Sequence, residues 1–445
     1  MASTSRKTAI AVCQMTSTHD VENNFNVCAD LIRQAKDKNA KMVFLPECFD
    51  YVGRNKEEAI GLAVAEDGPL IARFRQLARQ NDLWLSLGGF HEINAETKKN
   101  PFNTHLIINN EGATVAKYRK LHLFDVNIPG KVRLMESDFS TAGDRLVQPV
   151  QTPAGVVALS TCYDVRFPEL SVWQRKRGAQ ILTFPSAFTA NTGAAHWEVL
   201  LRARAVETQC YVVGATQTGW HNEKRESYGH AMVVDPWGKI LAEISDGSTG
   251  VEVVEIDLDY VDSVRASQPV LQHRRADLYN LITKEPIANE LTETVVFGEH
   301  TIHSATIFYR TPLSYAFVNR KPVVLGHVLV SPIRVVHHLT ELTNEETADL
   351  FNAAKIVQWV LESVYDVTSS TVSVQDGPDA GQSVKHVHAH ILPRRPGDFG
   401  DAPGNNIYEA IVTHDRDPNP ALFRTIEHMA AEAEVYRKVI AANRD

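Results

Sequence analysis

Between residues 8 and about 260, short apolar runs alternate with stretches whose apolar residues recur at helical spacing, a rhythm that few folds accommodate. TAIAVCQM (8–15) reads as a buried strand, and Phe25, Cys28, Ile32 and Ala35 after it read as one face of a helix. KMVFLPE, LWLSLGGF, HLIINN, GVVALSTC, AQILTFPSAF, YVVGATQT, AMVVDPWG and VEVVEID continue the strand series. Between them fall the helical segments PELSVWQRKRG, with Pro168 suited to a first helical position, and HWEVLLRARAVETQ. Strands and helices alternating at this spacing call for an α/β layered domain with helices on the sheet faces.

Near residue 280 the pattern changes. LITKEPIANELTET (281–294) is polar and aperiodic, so it is read as a linker between a first domain (1–280) and a second (295–445). A chain of 445 residues exceeds one ordinary core, which agrees with two domains. The second opens with TVVFGEHTI and holds strand candidates YAFVNR and GHVLVSP. A long helix follows, with Thr343 and Glu346 at capping-box spacing and Leu350, Ala354, Val357, Leu361 and Val364 as its apolar stripe. STVSVQD and KHVHAHILP read as paired strands, RRPGDFGDAPGNN as a mobile loop, and 419–444 as a terminal helix, giving an α+β unit.

Hydrophobic residues at 44% and charged residues at 22% fit a soluble globular chain. A net charge of -9 argues against nucleic acid as a partner, although a locally basic pocket can still take a small anion. MASTSRKTAI runs directly into a strand and leaves no room for an apolar signal core. No run approaches the roughly 18 apolar residues of a membrane span, so no membrane partner is expected. Cys13, Cys28, Cys48, Cys162 and Cys210 all fall in the first half without a CxxC pair, a pattern expected of reduced thiols in the cytoplasm.

Cys162 stands where GVVALST stops and a turn leads into a helix. A side chain at such an elbow is exposed at the sheet edge, close to backbone N–H groups able to bind an oxyanion. An arbitrary cysteine is more often a buried structural thiol, but the polar residues of YDVRFPEL directly after a core strand favour chemistry here.

STCYDVRFPEL resembles the nucleophile segment of the nitrilase superfamily of carbon–nitrogen hydrolases. FLPECFDYVG around Glu47 and YRKLHLFD around Lys120 match the same family, in order, over roughly residues 8 to 280. The resemblance implies an α-β-β-α sandwich with a Glu–Lys–Cys triad. In it Glu47 takes the Cys162 proton and later activates water, and Lys120 stabilises the oxyanion with the backbone N–H of Tyr163. Cys162 carries a thioester while ammonia leaves, and Glu136 in RLMESDF orients substrate or water. Arg202, Arg204 and Glu207 are expected to form structural ion pairs. NTHLII, LHLFDVNIPGK and CYDVRFPELS resemble the Nit amidase branch, whose known substrate is deaminated glutathione. Such a dicarboxylate should need basic pocket residues, which the sequence does not single out.

His386, His388 and His390 occupy every second position, so on a strand the three rings would line one wall while Val387, Ala389 and Ile391 face the buried side. Three co-facial imidazoles leave a metal cage, a phosphate-handling site or a solvated cluster open. A zinc site needs further ligands, usually with carboxylate support, whereas GPDAGQS reads as a Gly-rich loop presenting N–H groups to an anion. HVHAHIL, with FVNRKPVVLGHVLVSP and VQDGPDAGQSVKHVHAHILPRR, resembles the Fhit branch of the histidine-triad (HIT) superfamily over roughly residues 295 to 445. A chain with both units in this order resembles a fusion of the two families.

That resemblance implies hydrolysis of a dinucleoside polyphosphate such as diadenosine triphosphate. His388 attacks the α-phosphorus, ADP leaves, and water cleaves the nucleotidyl-histidine to AMP. His390 binds phosphate oxygens, His386 positions the nucleophile through a hydrogen bond, and His327 extends that chain. Asn319 and Gln375 match positions that contact ribose and phosphate; Gly381, Gln382, Ser383 and Val384 match the phosphate-facing loop, with Ser383 where threonine is commoner. His300 matches a position near the base, and Tyr408 is a candidate cover for the nucleotide. No organic cofactor and no protein-bound metal are expected, magnesium being only a counterion of the polyphosphate. Both families lead to the expectation of a homotetramer built on the first domain. An alternative treats the second domain as a nucleotide-bound sensor whose slow turnover resets it.

Overall fold

The computed structural model describes residues 6–95, 100–128, 132–275, 279, 294–398, 419 and 423–442. Tyr408 and residues 281–293 of the expected linker lie outside them. The chain separates into two compact units, Met1–Arg274 and Arg275–Asp445.

In the first unit the period of two along each strand sorts side chains into layers. The strand Lys7–Met15 sends Ala11, Cys13 and Met15 to one face, where they meet Phe25, Cys28 and Ile32 of the helix Val21–Asp37 and Phe74 of the helix Pro69–Asn81. Its other face carries Ile10 and Val12, which join Val157, Ile181, Tyr211 and Val213 from a second sheet. Ala158, Leu182, Val212 and Val234 on that sheet's far side pack on Trp197, Leu201 and Ala205 of the helix Ala190–Thr208. Helix, sheet, sheet and helix therefore stack as the expected α-β-β-α sandwich.

The first sheet has eight strands, running Glu226–Tyr228, Thr216–Trp220, Lys7–Met15, Met42–Leu45, Trp84–Glu92, Phe102–Ile108 and Thr114–Arg119, with Gly250–Asp257 also paired to Lys7–Met15. The second has six: Ile240–Ile244, Ala231–Val234, Tyr211–Gly214, Ile181–Thr183, Gly155–Ala158 and Val150–Thr152. Among the elements absent from the sequence reading, two bear on the site and its packing. The helix Pro69–Asn81 starts on Pro69 and buries Leu70, Ile71, Phe74 and Ala78, and the strand Thr114–Arg119 leads directly into Lys120.

The second unit is a five-stranded antiparallel sheet ordered Ile307–Arg310, Ser314–Val318, Val328–Pro332, Ala389–Pro393, Ser370–Val374. The helix Asn344–Tyr365 opens with the expected Thr343–Glu346 capping box. It packs Leu350, Ala354, Val357 and Leu361 on one sheet face beside Met429, Ala433 and Tyr436 of the terminal helix Ile426–Ala442. A separate hairpin, Thr294–Phe297 with His300–His303, lays Phe297 on the opposite side. One expectation needs correction. The histidine strand begins only at Ala389, so His386 and His388 lie in its lead-in, because Val387 bonds through its N–H to Val336 O rather than entering the ladder.

At Gly88 the first unit closes tightly beside the site. A Cβ there would collide with Leu45 O, on the strand leading to Glu47, and with Pro185, whose carbonyl accepts from Cys162 N–H at 2.9 Å. Gly88→Ala is expected to destabilise the first unit by about 1–3 kcal/mol through overpacking. Differential denaturation should show its transition moving down while that of the second unit stays in place.

Candidate active sites

Three segments of the first unit deliver the predicted triad. Glu47 follows the strand Met42–Leu45, Lys120 follows Thr114–Arg119, and Cys162 opens a 3-10 turn (Cys162–Arg166). Lys120 Nζ lies 3.0 Å from Glu47 Oε1 and 2.7 Å from Glu136 Oε2, and the Cys162 thiol is close enough to both Glu47 and Lys120 to feel their charges. Asn103 Nδ2 donates to Glu47 Oε1 at 2.8 Å and Ala187 N–H to Oε2 at 2.8 Å, so both carboxylate oxygens are held. One short segment thus serves both groups: Pro185 fixes the backbone of Cys162 and Ala187 fixes Glu47. Cys162 has φ +49°, a left-handed conformation costly for a non-glycine residue and frequent at sites of chemistry.

The elbow is pinned by Asp164. Its carboxylate accepts from Thr161 N–H at 2.8 Å and Tyr118 O–H at 2.6 Å, and from His122 Nδ1 at 2.7 Å. Tyr163, the candidate oxyanion donor, follows Cys162 in the same turn, with its ring against Phe124 and Phe167. Arg204 pairs with Glu207 as expected, but Arg202 pairs with Glu198 at 2.9 Å, one helical turn away in the other direction. Asn103 and Asp164 were missed, although an asparagine inside a wholly buried strand is a visible signal.

Burial opposes every charge in this cluster. For Glu47 it is outweighed by Lys120 and the Cys162 thiol, so the carboxyl lies below its ordinary value. For Lys120 it is outweighed by Glu136 and Glu47, which hold the ammonium well above its ordinary range. For Cys162, burial and then the Glu47 charge push the thiol up, with Lys120 opposing only in part. The resting state is thiol, carboxylate and ammonium: a base next to the thiol whose proton it can remove, and a cation beside the place where an oxyanion forms.

In the second unit the histidine rings gather beneath Phe297, whose centroid lies 5.4 Å from that of His386 and 5.1 Å from that of His388. His388 and His390 are 4.9 Å apart, and His388 is only 2% exposed. Backbone groups set the tautomers. His388 Nδ1–H donates to His386 O at 2.6 Å, which leaves Nε2 with its lone pair. The expected positioning by His386 therefore runs through its carbonyl; its ring Nδ1 instead accepts from Gly298 N–H at 3.1 Å. Val323 N–H donates to His327 Nδ1 at 3.2 Å, so His327 Nε2–H donates to His390 Nδ1 at 2.9 Å. His386 and His390 each retain a buried Nε2–H with no partner. N–H, lone pair, N–H is a suitable face for a phosphoryl group, and two orphaned buried donors are costly unless a ligand receives them.

The remaining candidates divide. Gln375 continues the strand Ser370–Val374, whose register carries it to the level of His388, and its Oε1 is buried without a partner. Ser373, missed from sequence, pairs with His390 and also holds a buried unpartnered hydroxyl. Asn319 Nδ2 lies 3.4 Å from His327 Nδ1, and its Oδ1 accepts from Lys321 N–H at 2.8 Å. Gly381 has φ +93°, Ser383 is exposed, and Val384 packs near Phe297. The Gln382 side chain is engaged within its own surroundings, donating to His337 O and accepting from Gly377 N–H, and His300 is exposed on the hairpin. Among the described residues, no group of three or more His, Cys, Asp or Glu side chains converges as a metal site. All five cysteines are free and buried, and no helix there is long and apolar enough to cross a membrane.

The carbon-nitrogen hydrolase family model matches residues 9–266 and the HIT domain model matches 301–397. Fold and sites together define a carbon–nitrogen hydrolase unit followed by a histidine-triad unit. The chain is 58% identical over 431 residues to the nitrilase and fragile histidine triad fusion protein NitFhit of Caenorhabditis elegans, covering 97% of this chain and 96% of that protein. It belongs to the NitFhit fusion family. The crystal structure of the C. elegans NitFhit protein matches with a TM-score of 0.88 at 55% identity, over 97% of this chain and 99% of that one. The deaminated glutathione amidase of Homo sapiens is 53% identical over 272 residues, 61% of this chain and 83% of that protein.

Burial holds His386 down to about 4 and lowers His388 and His390 as well, so folding excludes protons these rings would bind in the unfolded chain. The resulting stability is complete above the unfolded value near 6.5 and is lost as pH falls towards about 4. Thermal unfolding between pH 7 and 5 should show the second unit's midpoint falling, with a shallower slope in His386→Asn. Equal slopes in both proteins would contradict the assignment.

Proposed function

We propose that the chain is a bifunctional hydrolase. The first unit cleaves a small amide, with deaminated glutathione as the substrate suggested by its amidase relatives. The observation that carries this reading is the convergence of Cys162 with the buried Glu47–Lys120 pair, 3.0 Å apart. Glu47 takes the thiol proton as Cys162 Sγ attacks the amide carbon. Lys120 and the Tyr163 N–H stabilise the oxyanion, and the collapsing intermediate expels the amine with the proton from Glu47. Glu47 then deprotonates a water that hydrolyses the thioester, while Glu136 keeps Lys120 in place. The leaving group is the amine of the cleaved bond; ammonia, expected from the resemblance, applies only to a primary amide.

The second unit hydrolyses a dinucleoside polyphosphate, diadenosine triphosphate being the leading candidate. His388 Nε2 attacks the α-phosphorus in line, the bond to the ADP oxygen breaks, and water cleaves the phosphorus–nitrogen bond to release AMP. His386 and His390 Nε2–H groups receive phosphate oxygens, a role supported by their making no geometric hydrogen bond among the described residues. Magnesium enters only with the polyphosphate. The exposed apolar residues Val199, Val206 and Trp237 of the first unit support a homotetramer, and five free thiols support a cytoplasmic setting.

A second reading, in which the nucleotide-bound unit acts as a sensor, is favoured by the near-complete burial of His388 under Phe297. Comparing the release rate of intact dinucleotide with turnover separates the two, since release faster than cleavage marks a sensor.

Cys162→Ala should abolish amide hydrolysis and leave nucleotide hydrolysis within about twofold, and His388→Asn should do the reverse. Separate product assays on one purified, folded chain check this; loss of both activities in either variant refutes two independent sites. The amidase rate should hold as pH falls past the ordinary glutamate value near 4.3, because Glu47 stays ionised below it. The nucleotide rate should likewise decline only below about 6.5, because His388 stays neutral there. Two pH–rate profiles of kcat/KM test these limbs.

A further inference from the structure

An ionised amide substrate meets an unfavourable charge balance at the first site. Glu47 and Glu136 line it with carboxylates, and Lys120 is already shared between the two. A substrate carboxylate therefore needs a cation that no protein carboxylate neutralises.

The hairpin of Thr216–Trp220 and Glu226–Tyr228 supplies one. It is fastened to the catalytic walls at several points. Gln217 Nε2 donates to Glu47 O at 2.9 Å and to Cys48 O at 3.2 Å. Ser227 bridges to Thr189, and Tyr228 N–H donates to Phe188 O at 2.9 Å, next to the Ala187 that holds Glu47. At the tip, His221 N–H donates to Arg225 O at 2.9 Å and Arg225 N–H to Asn222 Oδ1 at 3.1 Å, so the backbone of Arg225 is fixed. Its guanidinium is half-buried, and among the described residues no carboxylate pairs with it. Its charge nevertheless reaches Glu47, whose carboxyl it helps to hold down, and also His221, which it helps burial to lower to about 4. Arg225 thus stands on the hairpin beside the catalytic base, half-buried and, among the described residues, without a carboxylate partner.

We propose that Arg225 is a specificity-determining residue of the amidase site, binding a carboxylate of the substrate through its guanidinium fork. The assignment rests on the amidase reading above and names the chemical class that reading requires: an amide bearing a free carboxylate. A guanidinium presents two parallel N–H donors to a carboxylate, a geometry a lysine ammonium lacks. Anchoring on a hairpin that also holds the backbone of Glu47 makes the distance from carboxylate to scissile amide a fixed dimension of the site.

The experiment compares the full-length protein with Arg225→Leu and Arg225→Lys on deaminated glutathione and on two analogues, each with one terminal carboxylate converted to a neutral carboxamide. Arg225→Leu is expected to raise KM for the parent substrate on the order of 10- to 100-fold with kcat little changed. Arg225→Lys should recover part of that loss. On the analogue lacking the carboxylate that Arg225 binds, wild type and Arg225→Leu should become equal, and the analogue that shows this identifies the end recognised. An unchanged thermal transition of the first unit reports that each variant is intact. If wild type leaves all three amides untouched, the amidase reading fails. If wild type cleaves them but Arg225→Leu changes nothing, or reduces all three alike, Arg225 has no role in specificity and the inference is overturned.

Discussion

The first unit is organised around a lysine ammonium buried between two carboxylates. Lys120 is 2% exposed, and an ion taken that far from water is tolerated only because Glu47 and Glu136 lie within hydrogen-bond distance on either side. The constraint propagates outward. Glu47 must itself be satisfied, which Asn103 and the Ala187 N–H accomplish, and Glu136 accepts the Phe124 N–H at 2.7 Å. Removing any one partner would strand a charge in the interior at a cost of about 3–5 kcal/mol. Two β-strand ends and two turns are thus locked together by one electrostatic requirement, which also positions a thiol beside its base. A second buried pair reinforces the loop after Glu47: although burial pulls it down, His91 is held up to about 10 by Asp50 and Cys48.

The second unit solves its problem without charge. All three rings of its cluster are kept neutral by burial, and specificity comes from which nitrogen bears the proton. Three backbone groups decide this: His386 O, Gly298 N–H and Val323 N–H. A neutral, correctly protonated face suits a polyanion, because phosphate brings its own charge and needs donors already pointing at it.

How much of this could be read from the sequence follows from what a side-chain pattern encodes. Strand periodicity placed Ala11 and Cys13 opposite Ile10 and Val12 and so foretold the layers. It likewise put Val387, Ala389 and Ile391 on the helix side of the second sheet, though pairing begins only at Ala389. Glu47, Lys120 and Cys162 stood out at strand ends, but their convergence could not come from spacing; motif resemblance supplied it. What stayed hidden was mostly main chain. The Ala187 N–H on Glu47 and the His386 carbonyl under His388 leave no mark on residue identity. Asn103 did leave one, as a polar residue in a buried strand, and Ser373 another, alternating with Gln375.

Among the described residues, the hairpin carrying Phe297 pairs only with itself, and it is attached by the Tyr315 hydroxyl on Val296 O, the Gly298 N–H on His386, and ring and aliphatic packing. It can lift without breaking a single rung of the five-stranded ladder, so its opening is decoupled from global unfolding. The dwell time of a nucleotide on His388 and the deuterium uptake of these eight or so amides would then run on one clock, set by a rupture energy far smaller than the stability of the unit beneath.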